Sequence, residues 1–136
     1  MITQILLAVD GSPASRRAAA AVRELAAQGI SVRVLHVEEQ MVTRDGLVSS
    51  HVEPIGKEVV DDIVKEFEGA GIDCSLEIRE DLYPHVARAI VQAARDYGAQ
   101  LIAMGSRGRT NIGAVLVGST SHKVLHLSDI PVLLVP

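Results

Sequence analysis

Gly105, Gly108, Gly118 and Ser119 stand at a spacing suited to holding an anion: Gly, two residues, Gly, nine residues, then Gly-Ser. The run follows a short, wholly apolar segment, Leu101-Ile102-Ala103-Met104, and ends where a helical pattern begins. Glycine at a strand end lets a backbone pass close to a ligand, because no Cβ stands between them. A Gly-Ser pair opening a helix adds unpaired N–H groups, a hydroxyl and the positive end of the helix dipole. Those parts hold phosphate. The stretch from Gly113 to Thr120 imitates a P-loop, but Ser119 stands where that loop needs its lysine. A P-loop NTPase is therefore excluded. No G-x-G-x-x-G follows the first apolar run, which argues against a dinucleotide dehydrogenase.

The elements that must position these residues alternate along the chain. Apolar, β-rich runs and helical patterns follow one another four times, which predicts βα units and a largely parallel, doubly wound sheet. The first strand is expected over Ile2 to Val9, with Ser12 as N-cap and Pro13 as the first residue of a helix that stops near Gly29. A second strand follows over Val32 to Val37. Residues 38–53 lack periodicity and are expected to form one long connection. Ile55, Val59, Ile63 and Phe67 recur every four residues and mark an amphipathic helix ended by Gly69 and Gly71. Cys74, Leu76 and Ile78 alternate with Ser75, Glu77 and Arg79, as in an edge strand with one wet face. Val86, Ile90, Ala93 and Tyr97 mark a third helix between Pro84 and Gly98. Leu101 to Met104 reads as a central strand covered on both faces, Ser119 to Leu127 as the last helix, and Val132 to Val135 as the last strand.

At 136 residues, with 48% apolar and 22% charged, the chain suits one soluble domain with one core. Phe67, Tyr83 and Tyr97 are its only aromatics and its net charge is −4, so no nucleic-acid or membrane partner is expected. The lone Cys74 fits a reducing compartment and reads as a packed strand residue. No signal peptide or spanning helix is evident, and a cytoplasmic location is expected. His122 and His126 have the i,i+4 spacing of a metal pair, but no third ligand is evident; a solvated or core-edge helix face is expected and no metal site is assigned. The strand Val132 to Val135 is apolar on both faces and sits at a sheet edge, where pairing with a second copy is the simplest way to cover it.

The glycine spacing, together with Ile5 to Ser12 at the start and Ser128 to Val135 at the end, resembles the universal stress protein family, in its ATP-binding branch, over the whole chain. The resemblance implies a Rossmann-like fold of the adenine nucleotide alpha hydrolase type. It would have five mainly parallel strands in the order 3-2-1-4-5, helices on both faces and a homodimer through Val132 to Val135. It further implies an adenine nucleotide, ATP or else AMP or ADP, held together with Mg²⁺. In that reading the backbone of Val37 meets the adenine edge, and Ala8 and Val9 line the base pocket. Asp10 accepts from ribose hydroxyls or orients a metal-bound water. Met104, Gly105 and Gly108 pass close to ribose and phosphates, while Gly118, Ser119 and Thr120 donate to the phosphates. Arg107 and Arg109 supply charge at the mouth. Tyr83-Pro84-His85 departs from a glycine that family members often carry before the third helix.

The expected function is a nucleotide-dependent stress-response module acting through an unknown protein partner. No nucleophile–base pair is evident, so strong catalysis is not expected. Two alternatives stay open at this point. One is a nucleotide-independent dimeric interaction module. The other is a weak ATPase, or a protein that phosphorylates itself on Ser119 or Thr120.

Overall fold

A computed structural model describes residues 1–27, 29–49, 55–82, 84–107 and 117–136. In chain order its elements are β1 (Gln4–Ala8), α1 (Pro13–Ala26), β2 (Ser31–Thr43), β3 (Gly46–Ser49) and α2 (Ile55–Gly69). Then come β4 (Cys74–Leu82), α3 (Val86–Tyr97), β5 (Leu101–Gly105), α4 (Ser119–Leu127) and β6 (Val132–Val135).

The parallel strands lie in the order β4-β2-β1-β5-β6. Numbered among themselves they read 3-2-1-4-5, as the resemblance implies. Alternate residues of each strand feed two separate cores. Ile5 and Leu7 of β1 and Val32 and Val34 of β2 pack against Ala18 and Val22 of α1 and Val60 and Phe67 of α2. Leu6, Leu35, Ile102 and Met104 pack on the other face against Ile90 and Ala94 of α3 and Val124 of α4. Leu6 and Leu7 are both fully buried, one on each face. Burying a leucine side chain contributes about 1.5–3 kcal/mol, which is why an apolar run without polar breaks becomes a central strand.

Chain winding reverses between β1 and β5. From β1 the chain moves outward through α1, β2 and α2 to β4; from β5 it moves the opposite way through α4 to β6. Right-handed crossovers then put α1 and α2 on one face and α3 and α4 on the other. Ligands of such sheets bind beyond the carboxyl ends of the strands at this reversal, here β1 and β5.

Two expectations are corrected. The 38–53 segment is not one long connection in the part described: β2 runs on to Thr43 and returns through Arg44-Asp45 into β3 as an antiparallel hairpin. Gly46, at φ 113°, takes the backbone conformation that closes this turn, and Thr43 Oγ1 donates to its carbonyl at 3.0 Å. Gln40 pairs with Leu82 on one edge and Ser49 on the other, so β3 lies on the β1 side, past the end of β1. Residues 50–53 lie outside the described residues. The second correction concerns β4. It is an edge strand with the expected alternation, yet Leu76 and Ile78 are 47% and 37% exposed. Glu77 and Arg79 are the half-buried residues, because Arg79 bonds Glu77 and Asp96 of α3 while Arg33 of β2 reaches Glu77. Ion pairs, rather than hydropathy, decide which side of β4 is covered.

Candidate functional site

The β1 end is fixed by main-chain and imidazole bonds. Val9 N donates to Leu35 O at 2.8 Å, and Val9 O accepts from His36 Nδ1 at 2.8 Å. A carbonyl only accepts, so Nδ1 carries the proton of this buried histidine. Asp10 Oδ1 accepts from Ser12 N at 2.9 Å, closing a tight turn that Gly11 completes at φ 80°. Ser12 Oγ accepts from Ser15 N at 3.1 Å and donates to Arg107 O at 3.4 Å. The start of α1 is thus capped by its own serine, with Pro13 removing one amide donor. The same hydroxyl ties the loop after β1 to the loop after β5.

The β5 end is built differently. A Cβ on Gly105 would stand 2.8 Å from Ala14 C, Ala14 Cβ and Ser15 N. The close approach that Gly105 permits is therefore to the first turn of α1. Gly105 O accepts from Ser121 Oγ at 2.9 Å, and Ser106 N donates to Val135 O at 2.8 Å. Ser106 O accepts from Gly118 N at 2.6 Å, which draws the start of α4 down onto the end of β5. Gly118 is the N-cap of α4, at φ −68° and ψ 162°, and no side chain among the described residues caps the helix. No acidic residue stands in its first turn. A helix leaves its opening amides without intrahelical acceptors, and here nothing in the cap residue replaces them. Beside them Ser106 is 6% exposed, and its Oγ is the one buried side-chain oxygen or nitrogen without a hydrogen-bond partner among the described residues. Strand alternation sends it away from α1, toward the α4 side.

The sequence matches the profile of the Universal stress protein family over residues 1–136. The chain belongs to the universal stress protein family. It is 36% identical over 142 residues to the universal stress protein in the QAH/OAS sulfhydrylase 3′ region of Thermus aquaticus, covering 99% of both chains. Its fold is similar to that of the protein MJ0577 of Methanocaldococcus jannaschii, with TM-score 0.76 and 30% identity over 99% of this chain and 96% of that one. An Archaeoglobus fulgidus universal stress protein solved with dAMP matches at TM-score 0.71 and 20% identity, covering 100% and 98%, a likeness of fold.

Within this universal stress protein fold, β1, β2 and β5 are neighbours, so Ala8, Val9, Asp10, Val37, Met104, Gly105 and Arg107 gather at one end of the sheet. Gly118 joins them through its bond to Ser106, bringing Ser119 and Thr120 along. Gly108 and Arg109 lie outside the described residues. Ala8 packs in the α3–α4 core and Val9 in the α1–α2 core, so their side chains face opposite ways. A single pocket meets one of the two through its side chain and the other only through main chain.

Sequence reading missed His36, Ser106 and Ser12's bond to Arg107. A histidine inside the apolar run Val34-Leu35-His36-Val37 was a usable signal, since such a residue needs a buried partner. Cys74 is half-buried away from this end, its thiol pushed up to about 11 by burial and by Glu68 and Asp73. No group of three or more histidine, cysteine or acidic side chains among the described residues could hold a metal ion. No described helix is long and apolar enough to cross a membrane.

Proposed function

We propose that residues 1–136 form one universal stress protein domain that binds an adenine nucleotide, ATP with Mg²⁺ foremost. It would act in the cytoplasm as a homodimer whose occupancy sets its choice of protein partner. One observation carries this reading: α4 begins with a glycine that no described side chain caps, beside a buried serine hydroxyl without a partner among the described residues, at the sheet's winding reversal. Family membership and the dAMP-bound relative of the same fold support the adenine base.

Magnitudes favour several donors acting together. Micromolar affinity needs about 8 kcal/mol, after association costs. A charge-assisted hydrogen bond contributes about 1.5–3 kcal/mol, and the helix end about 0.3–1 kcal/mol. Amides of α4, the hydroxyls of Ser119, Thr120 and Ser106, and a Mg²⁺ on the phosphates supply that sum. The main chain at Val37 meets the base, Ala8 and Val9 line its pocket, Met104 and Gly105 pass close to ribose and phosphates, and Asp10 faces the ribose.

Calorimetric titration with ATP, ADP, AMP and cyclic AMP, each with and without Mg²⁺, tests the proposal. Tightest binding by Mg-ATP is expected. If no nucleotide binds below millimolar, the domain is a nucleotide-independent interaction module. For the dimer, β6 pairs with β5 alone among the described strands, and its four apolar residues are half-buried. Leu133→Glu should convert a dimer to monomers in sedimentation; a wild-type protein that is already monomeric rejects the β6 interface.

A further inference from the structure

Helix α4 has an anion-attracting start, and its other end carries a different chemistry. His122 and His126 lie four residues apart on it, and both are exposed. The helix is regular across the pair: His122 N donates to Gly118 O at 2.9 Å and Ser128 N to Val124 O at 2.9 Å. Side chains four apart on a helix stand one above the other, with Cβ atoms about 5–6 Å apart. Two imidazoles at that spacing hold zinc in helical metal sites. Ser121 and Val124 are the buried positions of α4, so the two imidazoles project from the outward side. Neither imidazole has a hydrogen-bond or ion-pair partner among the described residues. Asp129, the nearest acid along the chain, is engaged by Arg95. His126 stands in the last turn, the helix's negative pole, which favours a cation beside it.

We propose that His122 and His126 form a bidentate site for a divalent transition-metal ion of the Zn²⁺, Ni²⁺ or Cu²⁺ class, with water in the remaining positions. The expectation of a solvated helix face is met, and that exposure is what leaves both imidazoles free to turn toward one ion. Imidazole suits these borderline and softer ions, whereas Mg²⁺ seeks oxygen ligands. The site is therefore separate from any Mg²⁺ carried by a nucleotide. A bound ion would clamp the second half of a nine-residue helix whose first turn presents the anion donors.

The test is calorimetry of chelator-treated protein with NiCl₂ and ZnCl₂ in a non-coordinating buffer. One ion per chain is expected, with micromolar affinity. His122→Ala and His126→Ala should each weaken binding by about a hundredfold, because the second imidazole binds at high effective concentration. His85→Ala and Cys74→Ser, at other potential ligands, should leave it unchanged. Both α4 positions are exposed, so the variants should melt like the wild type, and Zn²⁺ should raise the melting temperature of the wild type alone. Binding that survives the double alanine variant, binding that depends on His85 or Cys74, or no binding at all overturns the proposal.

Discussion

Helices α1 and α4 both start at the carboxyl end of the sheet, one after β1 and one after β5, on neighbouring strands. Their first turns are opposites. Ser12 caps α1 by accepting from Ser15 N, Pro13 removes a donor, and the first turn packs so tightly on β5 that position 105 admits no Cβ. At α4 a glycine occupies the N-cap and, among the described residues, no side chain caps the helix and the adjacent Ser106 hydroxyl has no partner. On the proposed reading, the difference separates a helix that serves as scaffold from one whose start serves as receptor. A chain that satisfies its own amides gains stability and gives up a donor site; one that leaves them open keeps the site.

The sharpest way to break the comparison is to give α4 the cap that α1 has. Gly118→Asp suits the extended backbone at that position, so it carries no conformational strain. Helix stability should rise by a few tenths of a kcal/mol. Mg-ATP affinity should fall about a hundredfold, roughly 2.8 kcal/mol. Paired urea melts and calorimetry would show the opposite signs. Unchanged affinity would place the anion elsewhere.

Next in size is the contact between α1 and β5. Gly105→Ala forces a methyl against main-chain atoms 2.8 Å away, which cannot swing aside as a side chain tip would. A loss of about 1–3 kcal/mol is expected, read as a lower urea midpoint. A midpoint within error of the wild type would mean that α1 slides freely on β5. Ser12→Ala should cost about 1 kcal/mol, with a smaller loss of nucleotide affinity than Gly118→Asp causes. A larger binding loss from Ser12→Ala would show that its bond to Arg107 O, rather than the α4 amides, organises the site.

How legible this was in the sequence follows from the range of the forces involved. The bounds of α4 and β6 coincide with those read from Gly118-Ser119 and the run after Pro131, because caps and proline act on adjacent residues. Ser12 and Pro13 announced α1 for the same reason. The hairpin was missed although Asp45-Gly46 between Met41-Val42-Thr43 and Leu47-Val48 is a turn signal; Glu38 and Glu39 broke the apolar run and hid the continuation of β2. The covered side of β4 depends on Arg33 and Asp96, which approach Glu77 and Arg79 from elements distant in sequence. Gly105 was legible as a close approach, but the approaching group was not. Nothing within a few residues of position 105 names α1 as its neighbour.

Ser106 sharpens the comparison at the smallest scale. If α4's start is a receptor, the Ser106 hydroxyl is kept for a ligand and costs the unliganded fold its desolvation. Ser106→Ala should then leave the unliganded protein as stable as before or more so, by up to about 0.5 kcal/mol, while weakening Mg-ATP several-fold. A hydroxyl serving the scaffold, as Ser12's does, gives the reverse: lower stability and unchanged affinity. Ser12→Ala measured alongside supplies the reference, since its hydroxyl has two partners and Ser106's has none among the described residues. The two serines differ by which side of β5 they serve, and the signs of their alanine variants read that directly.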